Sequence, residues 1–157
     1  MPPRILLVED EPANVKLMSR ILERKGGYEV RATEDPAEAL ALTAGGEIDL
    51  VVMDVSLSSS VYEGRPVNGL EISRMIKSDA RSAAVPVILA TAHTMKGDRE
   101  HFLKESGADD YVGKPIIDFE AFLAMVKRLI EAARAAAAPA AQPVGAKTVA
   151  GQDPTES

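Results

Sequence analysis

Short apolar runs alternate with helix-like segments along most of this chain, and that alternation restricts the fold more than any other feature. Five runs have the length of a β-strand: residues 4–8, 28–32, 49–53, 86–90 and 110–113. The first, third and fourth are almost continuously apolar, as is typical of strands buried on both faces of a parallel sheet. The second run, "YEVRA", alternates apolar and polar residues, which indicates an edge strand.

The segments between the runs have helical spacing. Val15, Met18 and Leu22 follow Pro12 at intervals of three and four residues, and the Gly pair at 26–27 predicts the end of that helix. The last helix has the clearest pattern. Its apolar residues are Phe119, Phe122, Leu123, Val126, Leu129 and Ile130. Strands that alternate with helices in this way predict an α/β domain with a parallel sheet and right-handed crossovers.

The pattern ends near residue 135. The remaining segment, 136–157, is rich in Ala, Pro and Gly and has few large apolar residues. A segment of this composition cannot bury enough apolar surface to offset the entropy lost on ordering. We therefore predict one folded domain over residues 1–135 and a disordered tail over residues 136–157.

The composition excludes several classes of function. The chain has no cysteine, which excludes disulfides, thiolate zinc sites and cysteine nucleophiles. Its net charge is -6 and it has no basic cluster, which argues against nucleic acid as a main partner. No apolar stretch approaches the roughly 20 residues of a membrane span, and the N-terminus becomes acidic too early for a signal peptide. We expect a cytoplasmic protein without membrane insertion.

Polar residues follow directly after four of the predicted strands. They are Glu9, Asp10, Glu11, Asp54, Thr91 and Lys114. Because parallel strands end at a common sheet edge, where ligands bind, we expect these side chains to meet. Mg²⁺ prefers oxygen ligands and would neutralise the crowded carboxylates. A cation, a carboxylate, a hydroxyl and a lysine together suit a phosphoryl group.

Each of these residues also has an ordinary structural interpretation. Acidic residues before a helix stabilise its positive end, and an Asp after a strand is commonly a helix cap. Thr91 could supply a turn hydroxyl, and Lys114 could be solvated. Their joint occurrence at the ends of successive strands favours the functional interpretation.

Five motifs make the chain similar to the receiver domains of two-component response regulators. The motifs are "ILLVEDEP", "DLVVMDVSL", "NGLEISRMIK", "VPVILATA" and "GADDYVGKP". The resemblance covers almost all of the chain that is predicted to fold. It implies the flavodoxin-like (βα)5 fold, a doubly wound parallel sheet with strand order 2-1-3-4-5.

The resemblance also implies a role for each residue of the cluster. Asp54 would be the phosphoacceptor, and Lys114 would pair with a phosphoryl oxygen. Mg²⁺ would be bound by Asp10, Asp54 and the backbone carbonyl of Ser56, with Glu9 acting mainly through water. The phosphoryl donor would be a histidine kinase or a histidine phosphotransfer protein.

Further positions correspond to the switch of the family. Thr91 would move onto the phosphoryl group, and Tyr111 would turn into the space that Thr91 vacates. Ala92 corresponds to a small residue beside the site, and the bond between Lys114 and Pro115 would be cis. A downstream protein would then recognise the surface formed by helix four, strand five and helix five.

The segment after Asp54 departs from the family pattern. It is about half a dozen residues longer than usual before Gly69, a long connection for a compact domain, and it lacks the usual Met-Pro step. The Ser and Gly content of residues 57–67 favours a flexible loop. A partner-specific lid, with Tyr62 and Arg65 as contacts, is the alternative interpretation.

Two other functions remain open at this point. A phosphatase of the haloacid dehalogenase type would need a second catalytic Asp two residues after Asp54, where the chain has Ser56. A pseudo-receiver, a binding module without phosphorylation, would be expected to lack Asp10, Asp54, Thr91 or Lys114, and all are present. A stand-alone phosphoacceptor switch that is not an enzyme is the favoured prediction, because no pattern of an output domain follows residue 135.

Overall fold

A central parallel sheet organises the domain. The computed structural model describes residues 2–57, 60–92 and 98–141. The sheet contains β1 (Arg4–Val8), β2 (Glu29–Thr33), β3 (Leu50–Asp54), β6 (Val87–Thr91) and β7 (Asp110–Gly113), in the spatial order β2-β1-β3-β6-β7. A separate hairpin contains β4 (Val61–Tyr62) and β5 (Arg65–Pro66). Without the hairpin strands the order is 2-1-3-4-5, so the predicted flavodoxin-like fold is confirmed.

In the described part of the chain four α-helices lie between strands of the sheet, and a fifth follows the last strand. They are α1 (Pro12–Arg20), α2 (Pro36–Ala44), α3 (Gly69–Ser78), α4 (Asp98–Ser106) and α5 (Phe119–Ala141). A proline stands in the first turn of α1 and of α2, where its missing N–H costs no helical hydrogen bond. A π-helical segment, Ile21–Lys25, continues α1 up to the predicted glycine pair.

The helices cover both faces of the sheet. Because successive residues of a strand point to opposite faces, Ile5 and Leu7 pack with residues of α1 and α5, such as Met18 and Phe122. Leu6 and Val8 face the other way and pack with α2 and α3. β1, β3 and β6 are almost wholly buried, whereas only Thr33 of β2 is buried, and β2 lies at the edge of the sheet as predicted.

The end of α5 lies further along the chain than the sequence pattern indicates. The helix continues past the predicted domain boundary at residue 135 to Ala141. Alanine has the highest intrinsic helix propensity, and five of the six residues from 136 to 141 are alanine. The disorder predicted for the tail stays a prediction for its remainder, 142–157, which lies outside the described residues.

The insertion after Asp54 also differs from the flexible loop that was expected. Val61 pairs with Pro66, and Tyr62 pairs with Arg65, in an antiparallel hairpin. Glu63 and Gly64 have φ values of 52° and 78°, as a two-residue hairpin turn of type I′ requires. Strands of two residues leave no periodic signal in a sequence, which explains why the hairpin was missed. Residues 58 and 59 lie outside the described part of the chain.

Within the ranges that the structure describes, none of the helices combines the length and the apolar character needed to cross a membrane.

Candidate functional site

The C-terminal ends of the strands bring the predicted polar residues to one edge of the sheet. Asp54 is the last residue of β3 and Thr91 the last residue of β6, and their exposures are only 2% and 0%. The parallel register sets Thr91 beside Gly113, the residue before Lys114. The backbone N–H of Lys114 donates to the carbonyl of Thr91 at 2.8 Å, which fixes the start of the loop after β7.

Three carboxylates converge at this edge. Oxygen atoms of Glu9, Asp10 and Asp54 all lie within 4.8 Å of one another. Glu9 is buried at 3% exposure, and Asp10 is half-buried. The fold therefore brings these side chains together as predicted. The three carboxylates are close enough for their like charges to repel one another.

Lys114 supplies the counter-charge within the cluster. Its Nζ donates to Asp54 Oδ1 at 2.8 Å and to Glu9 Oε1 at 3.2 Å. Backbone groups add two further bonds, since the N–H of Ser56 donates to Asp54 Oδ1 at 3.2 Å and the N–H of Glu11 to Glu9 Oε2 at 3.1 Å. One ammonium group against three carboxylates leaves the set of Glu9, Asp10, Asp54 and Lys114 with a formal excess of negative charge.

The proton affinities of the cluster reflect this imbalance. Burial raises the pKa of Glu9, and the Asp54 carboxylate raises it further, although the N–H of Glu11 and the charge of Lys114 act in the opposite direction. Burial alone would lower the pKa of Lys114, but bonding to Asp54 and Glu9 outweighs it, so this pKa is raised overall. Lys114 is therefore held as a cation at neutral pH.

The donor set of the cluster suits Mg²⁺. Mg²⁺ takes oxygen ligands, keeps several waters and needs only one or two carboxylates from the protein. Asp10 and Asp54 provide carboxylate oxygens close together, and the excess negative charge would be neutralised by a divalent cation. Ser56, whose carbonyl the resemblance implies as a further ligand, is exposed at the same edge.

The remaining predicted positions lie around the cluster. Tyr111 is half-buried on β7, and its ring centroid lies 6.2 Å from that of Phe102 on α4. Ala92 directly follows β6 and is exposed. The bond between Lys114 and Pro115 is cis, as the resemblance implies. Glu11 is exposed at the start of α1, outside the group of three acids.

Two residues with structural roles were not singled out from the sequence, one beside the site and one at the opposite end of β7. Gly69, the first residue of α3, lies against the main chain of Asp54. Asp110 at the start of β7 is buried and accepts bonds from Arg99 of α4 at 3.2 Å and from Arg128 of α5 at 2.8 Å. The only sequence signal for Asp110 was an acidic residue at the start of a strand, which does not identify its partners.

Comparisons with known proteins agree with this geometry. Residues 5–127 match the response regulator receiver domain family. The polar-differentiation response regulator DivK of Brucella anthropi is 37% identical over 116 residues, which is 74% of this chain and 87% of DivK. The Brucella ovis DivK protein is 36% identical over the same length.

Solved structures show the same fold. The receiver domain of the sensor histidine kinase PA1611 from Pseudomonas aeruginosa, with a magnesium ion coordinated in its active site cleft, has a TM-score of 0.70 at 30% identity. The match covers 83% of this chain and 99% of that domain. A CheY-like receiver domain protein from Methanospirillum hungatei has a TM-score of 0.69 at 24% identity, over 87% of this chain and 99% of that one. The chain belongs to the response regulator receiver domain family of two-component signalling.

Proposed function

We propose that this chain is a single-domain response regulator that accepts a phosphoryl group on Asp54 from a histidine kinase or a histidine phosphotransfer protein. The observation that carries the proposal is the Asp54 carboxylate, which is buried at the end of the central strand and bonded to Lys114 inside the acidic cluster. The similarity to DivK proteins, which are named response regulators, supports it. We expect the transfer to take place in the cytoplasm.

The residues of the site have complementary roles in this transfer. A carboxylate oxygen of Asp54 attacks the phosphorus of a phosphohistidine, the bond from phosphorus to the imidazole nitrogen breaks, and an aspartyl phosphate forms. Lys114 neutralises charge on the phosphoryl oxygens. Asp10, Asp54 and the carbonyl of Ser56 would hold Mg²⁺, with Glu9 acting through water. When bound, Mg²⁺ would lower the repulsion between the phosphoryl oxygens and the attacking anion.

The proposed output is a shift between two conformations. Thr91 would bond to the new phosphoryl group, and Tyr111 would turn into the vacated space. Tyr111 contacts Phe102 of α4, so its rotation would change the surface formed by α4, β7 and α5 that a downstream protein recognises. The size of the shift is limited by the difference in the bonds that the phosphoryl group makes in the two states. The chain acts as a switch in this scheme and not as a classical enzyme.

Phosphorylation by a small phosphodonor tests the proposal directly. Acetyl phosphate and Mg²⁺ should increase the mass of the protein by one phosphoryl group, and chelation of Mg²⁺ should abolish labelling. Asp54→Asn keeps the shape of the side chain but removes the nucleophilic anion, so labelling should be lost.

Asp35→Asn is the matched control. Asp35 also lies beyond the C-terminal end of a strand, but it is exposed and caps α2 by accepting the N–H of Ala37, a bond that Asn preserves. This variant should be labelled like the wild type. Labelling of Asp54→Asn at the wild-type rate would refute the assignment, and a wild-type protein that is never labelled would favour the pseudo-receiver.

A further inference from the structure

The first turn of α3 rests directly on the main chain of the phosphoacceptor. A Cβ atom at Gly69 would overlap the carbonyl oxygen of Asp54, and it would lie 2.8 Å from the Asp54 carbonyl carbon and 3.0 Å from Val55 Cα. Real Cβ atoms do not approach backbone atoms this closely. The chain therefore has room at this position for glycine alone.

Space, and not backbone conformation, imposes this requirement. Among the glycines that the structure describes, residues 27, 46, 64 and 107 have positive φ, and Gly69 is not one of them. Gly69 is buried, and its N–H donates to the carbonyl of Val55 at 3.1 Å. Main-chain packing and a hydrogen bond thus join α3 to the end of β3.

α3 is itself firmly held, so it can act as a support. Asn68 and Glu71 form a reciprocal capping box, with bonds of 3.0 Å and 3.1 Å between each side chain and the other residue's N–H. Ile72 and Ile76 are fully buried in the core beneath the sheet. A shift of Asp54 toward α3 would therefore meet a helix that cannot move without disturbing the core.

We propose that Gly69 is a positioning residue for Asp54. Its missing side chain lets α3 support the main chain of Asp54 and Val55, and this support sets the Asp54 carboxylate relative to Lys114 and to the other two acids. The inference rests on the proposed function, since it concerns the same carboxylate.

The substitution Gly69→Ala should move the carboxylate without changing any group that touches it. A reacting group misplaced by about 1 Å can lose roughly 100-fold in rate, and loss of a residue that supports metal ligands costs about 10- to 100-fold in metal affinity. We expect Gly69→Ala to weaken Mg²⁺ binding and to slow labelling by acetyl phosphate within that range.

A measurement on the metal-free protein follows the position of the Asp54 carboxylate independently of the labelling rate. The N–H of Ser56 donates to Asp54 Oδ1 at 3.2 Å, so the Ser56 amide resonance in an NMR spectrum reports the place of the carboxylate. The resonance should shift in Gly69→Ala before any Mg²⁺ is added. Calorimetric titration with Mg²⁺ then measures the affinity in the same sample.

Gly26→Ala is the control for a loss of stability alone. A Cβ at Gly26 would lie 2.7 Å from the Leu22 carbonyl oxygen and 2.7 Å from the ring of Tyr28, so it is also strained. Gly26 precedes β2 and lies at the opposite edge of the sheet from Asp54. This variant should melt at a lower temperature but keep the wild-type Ser56 resonance, Mg²⁺ affinity and labelling rate.

The outcomes are distinct. A Gly69→Ala protein with wild-type Ser56 resonance and Mg²⁺ affinity would overturn the inference. If that variant does not fold, Asn68→Ala removes the cap that steadies α3 but keeps the glycine, and wild-type Mg²⁺ affinity there would overturn it equally. A wild-type protein that binds Mg²⁺ but is not labelled would contradict the proposed function, while the Mg²⁺ and Ser56 measurements would still decide the role of Gly69.

Discussion

At the scale of single residues, the three carboxylates of the cluster and Lys114 together carry a formal excess of negative charge. Lys114 bonds to two carboxylates at once, Asp54 and Glu9, while Asp10 adds a further negative charge close to both. Like charges at this separation raise the free energy of the folded state. Repulsion between the carboxylates should therefore destabilise the metal-free protein, and a bound cation would relieve it. Removing one of the charges should make this destabilisation measurable.

Asp10→Asn tests this repulsion. The substitution keeps the size of the side chain but removes one anion from the cluster, so the metal-free protein should melt a few degrees higher, as expected for a gain of about 1 kcal/mol. Mg²⁺ binding should become weaker, because a carboxylate ligand is lost. Glu11→Gln is the control, since Glu11 is exposed outside the cluster, and neither quantity should change. A lower melting temperature for Asp10→Asn would count against a repulsive site.

Asp79 provides a pH-dependent pair away from the site. The Arg81 side chain donates to both Asp79 oxygens, at 3.1 Å and 2.7 Å, and the Arg81 N–H donates at 2.9 Å. These bonds lower the pKa of Asp79 from 3.8 to about 2. Because a lowered pKa favours the charged form when folded, the contribution to stability is present above pH 3.8 and is lost as the pH falls through about 2.

Replacing the guanidinium should reverse most of this shift. In Arg81→Gln the side-chain bonds are lost and only the backbone N–H remains, so the pKa of Asp79 should rise toward 3.8. Carboxyl carbon resonances followed by NMR between pH 2 and 6 measure it. The wild-type protein, measured under the same conditions, serves as the reference. An unchanged Asp79 titration would show that Arg81 is not the cause.

The residues of the site were more predictable than the contacts that position them. Asp54, Thr91 and Lys114 could be placed from the sequence because parallel strands must end at the same edge. Gly69 could not, because its role depends on how closely α3 approaches β3 in space. The partners of Asp110 were likewise invisible, since they come from two helices distant in sequence.

At the scale of elements, the contacts that hold the hairpin of β4 and β5 are distinct from those that hold Asp54. The bond from the Gly69 N–H to the Val55 carbonyl joins the chain on either side of the insertion. Beyond that point the hairpin is tied elsewhere: the Ser60 hydroxyl donates to the Glu34 carbonyl at 2.9 Å, and Tyr62 packs on the core beneath α2 and α3. Of the contacts first expected for a lid, Tyr62 is half-buried and Arg65 pairs with Glu71 at 3.5 Å.

Replacing residues 57–67 by a short Met-Pro turn should therefore affect labelling by a small phosphodonor much less than transfer from a kinase. Labelling by acetyl phosphate should stay within a few-fold of normal, because the base of the insertion remains closed. Transfer from a cognate kinase or binding of the output partner should weaken, because these steps need contacts with another protein and the hairpin presents an exposed apolar side chain, Val61. Equal loss with both donors would show that the hairpin shapes the chemical site. No loss in any measurement would make it a neutral insertion.

At the scale of the whole molecule, the contribution of α5 to the hydrophobic core stops several residues before the helix itself ends. Among the residues of α5 whose burial is described, 119–137, Leu129 and Ile130 are the last buried ones, and Ala135, Ala136 and Ala137 are exposed although the helix continues. Helix propensity alone adds little stability when no apolar surface is buried. Most of the stability of the domain should therefore come from residues before the alanine-rich segment.

Truncation after Ala135 tests this division. The free energy of unfolding in urea should change by less than about 1 kcal/mol, the scale of an ordinary structural mutation. Ile130→Ala in the full chain is the positive control, and the loss of a buried isoleucine should cost about 2–5 kcal/mol. A truncation effect as large as that of the control would show that the C-terminal segment packs against the domain.

Asp110 ties two helices to a single point. Its carboxylate accepts bonds from Arg99 of α4 and from Arg128 of α5, so one side chain on β7 contacts both helices. A displacement of α4 that carries Arg99 with it would break the bond to Asp110 or shift the carboxylate that also bonds to Arg128 of α5. Both ion pairs thus depend on one carboxylate, and removing its negative charge would weaken the attachment of α4 and of α5 to β7 together.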